Sequence, residues 1–105
     1  MEERRQEVRN SLIEQLILKG MDSAVFIDLA DKYMEFWDIV QALNEFIGEH
    51  GATYQERTSS GNLVTKNNPA VKDLIGANRQ MLAILNQLKI KPGNIAQPPM
   101  EGDTL

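Results

Sequence analysis

The sequence predicts a mainly α-helical protomer in which two long helices form an antiparallel hairpin around a short β-hairpin insertion and which assembles into a closed, ring-like oligomer. Three observations carry this expectation. Apolar side chains recur at spacings of three and four over three separate stretches. One stretch, from about residue 22 to 47, contains neither glycine nor proline; at 1.5 Å per residue it spans roughly 39 Å, more than the ~30 Å across a small domain. Its apolar surface also exceeds one stripe, so a lone protomer leaves part of it unburied.

The first helix is expected over residues 2–19, where Val8, Leu12 and Leu16 share a face and Ile13 and Ile17 flank it. Gly20 ends it. Asp22 or Ser23 can accept the free N–H groups that open the second helix. Phe26, Leu29, Ala30, Tyr33, Trp37, Val40 and Ile47 form its main arc, Val25, Phe36 and Leu43 widen it, and Ile39 and Phe46 lie further round. Gly48 and Gly51 are expected to terminate it.

Residues 53–57 and 63–65 read as short strands joined by the turn formers Thr58, Ser59, Ser60, Gly61 and Asn62. Asn68 then supplies an N-cap, and Pro69 fills the first helical position, where its missing N–H costs nothing. The third helix runs to about residue 89, with Val71, Leu74, Asn78, Met81, Leu85 and Leu88 forming a pairing seam and Ile75, Leu82 and Ile84 alongside. Asn78 either fixes register within that seam or faces solvent. Lys91-Pro92-Gly93 stops the helix. Beyond it periodicity is lost and Pro98-Pro99 follows, so the chain divides into one helical domain, residues 1–94, and a flexible extended arm, residues 95–105. The arm offers Ile95, Met100 and Leu105 to a partner groove.

At 105 residues and 42% apolar content, the composition fits a single folded domain. There is no cysteine, so a disulfide, a thiolate zinc site and a cysteine nucleophile are all excluded, and stability must come from packing or association. The charged start and the short apolar runs give no signal segment or membrane span, so a soluble intracellular protein is expected. The net charge is −4, which opposes indiscriminate nucleic-acid binding. Its distribution is uneven. Residues 21–50 hold seven acids against Lys32 alone, whereas residues 51–94 hold six cations against Glu56 and Asp73. Such halves can meet between neighbouring protomers.

Catalytic signatures are missing: no glycine precedes a Gly-Lys phosphate loop, and His50, the one imidazole, reads as a helix-end residue. Asp28, Asp31, Glu35 and Asp38 form an acidic ridge that repels itself unless solvated or met by cations. Carboxylates on one helix do not surround a hard cation, so no metal and no cofactor are expected. Tyr33, Phe36 and Trp37 stand at core spacing rather than forming a base-stacking platform.

The order of these features is more specific than any one of them. Tyr33-x-x-x-Trp37 lies on a long helix, a glycine-bounded hairpin follows, Asn68-Pro69-Ala70 opens another helix, and Leu85-x-x-Leu88-x-Ile90-x-Pro92 closes it. Over residues 12–94 the sequence resembles the P27 family of phage terminase small subunits. That family usually closes with a Leu-Gly-Leu-Thr-Pro-Ser-like run followed by arginine. Here Leu88-Lys89-Ile90-Lys91-Pro92-Gly93-Asn94 keeps the apolar pair and the proline, has lysines in place of the intervening residues and lacks the arginine. The polar extension that many family members carry before the first helix is also absent from the sequence.

The resemblance implies a non-catalytic small subunit that forms a ring, recognises viral double-stranded DNA and regulates the ATPase and nuclease of the terminase large subunit in the cytoplasm of a bacterial host. Any DNA contact is expected from Arg4, Arg5 and Arg9 or from Arg57, Lys66, Lys72 and Arg79, repeated around the ring. A recognition helix bearing Asp28, Asp31, Glu35 and Asp38 would meet phosphates with the wrong sign. The protomer interface is expected to use Phe36, Leu43, Asn78, Met81 and Leu85. The alternative is a structural oligomerisation or partner-binding module without intrinsic DNA affinity.

Overall fold

The computed structural model describes residues 2–91. The helix α1 spans Glu2–Leu18, α2 spans Ala24–His50, the strands β1 and β2 span Thr53–Arg57 and Leu63–Asn67, and α3 spans Pro69–Gln87. The expected element order therefore holds within these residues. The expected arm, residues 95–105, lies outside them.

Each helix end has a chemical cause. Gly20 takes a left-handed φ of 71°, its N–H donates to the Ile17 carbonyl at 3.0 Å, and the Met21 N–H reaches back to Leu16 at 2.8 Å. This pair of hydrogen bonds closes the last turn of α1. Ser23 is the N-cap of α2 by backbone conformation, without a side-chain cap hydrogen bond. Gly48 does not terminate α2, contrary to expectation. The helix continues to His50 and stops at Gly51, which takes φ 87° while its N–H still donates to Ile47 at 2.7 Å. A β-carbon on Gly51 would stand 3.3 Å from the Thr53 carbonyl oxygen, so this turn requires glycine both for φ and for room.

α3 ends two residues earlier than the expected boundary near residue 89, and the stop precedes the Lys91-Pro92-Gly93 run. Lys89 adopts φ 58°, its N–H donates to Asn86 at 3.1 Å, and the Ile90 N–H donates to Leu85 at 2.9 Å. This repeats the α1 stop with lysine in the place glycine holds there. The two stops touch, because the Lys19 ammonium donates to the Lys89 carbonyl.

The main core lies where the three helices meet. Leu12 and Leu16 from α1, Ala30 and Met34 from α2, and Ile84, Leu85, Leu88 and Ile90 at the end of α3 are buried together. Leu12, Leu16, Met34 and Leu88 are fully inaccessible, and burying each such side chain contributes about 1.5–3 kcal/mol. A second, smaller cluster of Val40, Ala77 and Met81 continues between α2 and α3, covered by Phe36, Trp37 and Leu74. Asn78 is exposed. The seam passes through Ala77 instead, so Asn78 takes the solvent-facing alternative and fixes no register inside the protomer.

α1 runs antiparallel to α2, as shown by Arg5 meeting Asp38 and Arg9 meeting Asp31. At 17 residues against 27 it covers only part of α2. Beyond that point the end of α2 and the start of α3 form a two-helix stem that carries the β-hairpin. The strands are antiparallel, with Thr53 opposite Asn67 and Arg57 opposite Leu63, so β2 extends two residues past the expected 63–65. Both hairpin faces are open, and only Val64 is half-buried within the strands. An isolated two-stranded hairpin is marginal in water, which makes its anchorage to the stem decisive.

Candidate functional site

Asn68 provides that anchorage. It is the buried polar side chain of the described residues, at 7% exposure. Its Oδ1 accepts from the Ala70 N–H at 3.0 Å, capping α3. Its Nδ2 donates to the Gly51 carbonyl at 2.8 Å, holding the end of α2. Its backbone N–H donates to Ala52 at 2.8 Å, closing the hairpin base. One residue therefore fixes α2, α3 and both strands relative to one another. The sequence shows the cap, because Asn before Pro-Ala is a local signal; the reach to Gly51 spans 17 residues and has no local signature.

Around this base the surface is concave on two sides. On the outer side a groove of about 640 Å³ is lined by Pro69, Val71, Ile75 and Gly76, with Lys72 and Arg79 among its walls. On the other side Phe46, His50, Tyr54 and Pro69 border a hollow of about 310 Å³. There the Phe46 and His50 rings stack with centroids 4.1 Å apart, and His50 Nδ1 donates to the Phe46 carbonyl at 3.0 Å. His50 is thus occupied as a helix-end residue.

The cations singled out in the sequence divide into two sets. Arg5 Nε donates to both Asp38 oxygens at 2.9 and 3.1 Å, Arg9 Nε donates to Asp31 at 3.0 Å, and Lys66 Nζ donates across the hairpin to Glu56 at 2.8 Å. Arg57 Nη1 donates to the Gly61 carbonyl at 2.7 Å and closes the β-turn. The Asp38 hydrogen bond raises the Arg5 pKa, and the Glu56 hydrogen bond raises that of Lys66, so both side chains hold their charge more firmly. Arg4, Lys72 and Arg79 are exposed and have no ion pair among the described residues. Lys72 and Arg79 stand seven residues apart, two turns along α3 and on one face. The structure brings them to one groove with Ile75 and Gly76 between them.

The acidic ridge is therefore met by cations rather than left to solvent alone. Asp38 and Asp31 pair with α1, and Glu35 pairs with Lys32 at 3.3 Å. No group of three or more metal-ligating side chains exists among the described residues, and no described helix is long and apolar enough to cross a membrane.

Among the expected interface residues, Phe36 and Leu43 are half-buried and Asn78 is exposed, whereas Met81 and Leu85 lie in the protomer's own core. The apolar side chains left open on the stem and α3 are Ile39, Phe46, Ile75 and Leu82. Ile75 and Leu82 are the informative pair, because their spacing of seven continues the stripe of Lys72 and Arg79 along the outer face of α3.

The sequence profile of the family described as phage terminase, small subunit, matches residues 6–103. No curated protein and no solved structure gives a significant match.

Proposed function

Because the chain belongs to the phage terminase small-subunit family, and hence to phage DNA packaging, we propose that it is a non-catalytic adaptor of the packaging motor, of the P27 kind. In this reading identical copies form a ring in the host cytoplasm, the ring recognises viral double-stranded DNA, and it regulates the large subunit that carries the ATPase and nuclease. The family match over residues 6–103 carries the proposal. The charge map supports it in a specific place. Arg5, Arg9 and Lys66 are engaged with carboxylates, so phosphate binding falls first to Lys72 and Arg79, with Arg4 as a third exposed cation.

Two cations per protomer bind duplex DNA weakly, and symmetry multiplies them. The exposed Ile39, Phe46, Ile75 and Leu82 supply apolar surface for association, the half-buried Phe36 and Leu43 add to it, and the exposed Asn78 offers a polar contact. The test is the salt dependence of duplex DNA binding by the assembled protein. Lys72→Glu with Arg79→Glu should weaken binding and flatten the logarithmic salt slope by about 0.9 for each phosphate that the protein no longer neutralises. An unchanged slope removes these residues from the footprint. A monomer in light scattering at micromolar concentrations refutes the ring.

A further inference from the structure

The β-hairpin presents a face that no role assigned so far uses. Side chains alternate along a strand, and residues directly opposite one another share a face. The pairing of Thr53 with Asn67, Gln55 with Thr65 and Arg57 with Leu63 therefore sets these six on one side of the ribbon. All six are exposed. The other side carries Tyr54, Glu56, Val64 and Lys66, and there the acid of the hairpin is already bound by Lys66 at 2.8 Å. The first side has the charge of Arg57 and no acid. Its position is fixed at the hairpin base, where Thr53 and Asn67 border the groove walled by Lys72 and Arg79, whereas Tyr54 borders the hollow on the opposite side. The six side chains and the two α3 cations thus form one continuous surface.

We propose that this face of the hairpin enters the major groove of duplex DNA and distinguishes base sequence, with Gln55 and Thr65 at its centre, while Lys72 and Arg79 hold flanking phosphates. The inference rests on the DNA-binding proposal above and adds to it the element that carries sequence preference. The side chains of Thr53, Gln55, Thr65 and Asn67 have no hydrogen-bond partner among the described residues. Glutamine and asparagine amides set a donor beside an acceptor and match adenine N6 and N7, threonine hydroxyls serve either kind of base edge, and apolar carbons such as those of Leu63 meet the thymine methyl. The dimensions agree. Paired strands lie about 4.8 Å apart, and the major groove, about 12 Å wide, admits a two-stranded ribbon. From Thr53 to Arg57 the ribbon covers about 13 Å at 3.3 Å per residue, the height of about four base pairs. It is also held at both ends before any DNA arrives. At the turn the Thr58 N–H donates to the Asn62 carbonyl at 2.7 Å and Arg57 donates to Gly61 at 2.7 Å, and at the base Asn68 ties the strands to α2 and α3, so binding has little left to order.

The test uses the full chain and a pool of duplexes with a randomised centre. The unaltered protein should enrich a common sequence from that pool. Gln55→Ala with Thr65→Ala should lower affinity for the enriched duplex about tenfold or more, toward that for the unselected pool, while pool binding, helicity and oligomer size stay the same. Gln55→Arg gives a readout that a folding defect cannot imitate. It should move the preference at one position of the enriched sequence toward guanine, whose O6 and N7 accept both guanidinium donors. Lys72→Glu with Arg79→Glu should weaken every duplex alike and keep the ratio of enriched to pool affinity. The role given to the hairpin is overturned if Gln55→Arg enriches the same sequence as the unaltered protein, or if Gln55→Ala with Thr65→Ala keeps that ratio. Binding of the pool without enrichment of any sequence overturns it too, and in all three cases DNA binding itself stands. An unaltered protein that binds no duplex even at low salt refutes the DNA-binding proposal, and this one with it.

Discussion

Replacing Asn68 by alanine removes two hydrogen bonds that no neighbour can replace. Loss of the bond from the Ala70 N–H at 3.0 Å is loss of an N-cap, about 1 kcal/mol. Loss of the bond to the Gly51 carbonyl at 2.8 Å leaves a partly buried acceptor without its donor, about 1–3 kcal/mol. The expected destabilisation is therefore about 2–4 kcal/mol, or a fall in Tm of the order of 10–20 °C for a domain of this size. Asn68→Asp separates the parts. It keeps the Oδ1 acceptor for the cap but has no N–H for Gly51, and it sets a carboxylate against a carbonyl oxygen. It should recover little of the loss, and Asn68→Ser should recover only the cap. Chemical denaturation at fixed protein concentration measures the three variants, since association shifts apparent stability by mass action. Hydrogen exchange should show the hairpin amides losing protection before those around Leu16 and Leu88. A change below about 0.5 kcal/mol for Asn68→Ala, well under the cap term alone, or uniform loss of protection, would contradict the role given to this residue.

The two left-handed helix stops should respond in opposite directions. Gly20→Ala imposes a side chain at φ 71° in open space and should cost about 1 kcal/mol, whereas Lys89→Gly at φ 58° should be neutral to stabilising by up to ~1 kcal/mol, both read by urea denaturation. Leu16→Ala, at a fully buried site, should destabilise the protein by about 2–5 kcal/mol; Leu82→Ala, largely exposed, should leave protomer stability nearly unchanged and instead lower association in sedimentation. Burial raises the Tyr33 pKa above its ordinary value of 10.0 by disfavouring the phenolate. The neutral phenol's contribution is complete below about pH 10 and lost as pH climbs through the raised value, so Tyr33→Phe should flatten the alkaline limb of the stability profile. An identical limb in that variant would assign the loss to other groups.

Elements whose cause is local are legible in the sequence. Gly20, the Asn68-Pro69 start and the turn formers of residues 58–62 act within a few residues, and each punctuates the chain where its own chemistry places it. The departures are of one kind. Gly48 reads as a stop, but a glycine ends a helix only when its φ turns positive, and that happens at Gly51. Met34 is a core residue that follows Ala30 by four, yet it falls outside the arc that the pattern suggests, because the aromatic residues beside it dominate that pattern. Lys89 occupies the glycine of the Leu-Gly-Leu run in the family the sequence resembles, and its left-handed backbone gives that departure a structural meaning. The pairing of α1 cations with the acidic ridge depends on tertiary approach over 22 and 33 residues, so periodicity alone cannot assign it.

That pairing decides what the uneven charge of the chain does. Two of the acids on α2 face α1, where Arg5 and Arg9 answer Asp38 and Asp31 inside one protomer, so the acidic half is partly satisfied before any neighbour arrives. The basic half is not answered in the same way. Lys66 has Glu56, but Lys72 and Arg79 stand on the outer face of α3 beside exposed Ile75, at the end of the molecule that α1 leaves bare. A surface that is both apolar and cationic, on a two-helix stem with a small core of its own, is unfavourable to leave in water and selective about what covers it. In the proposed function a neighbouring copy and DNA compete for the same stretch of α3. The order in which they bind, rather than the presence of either one, then sets whether the assembled protein holds DNA.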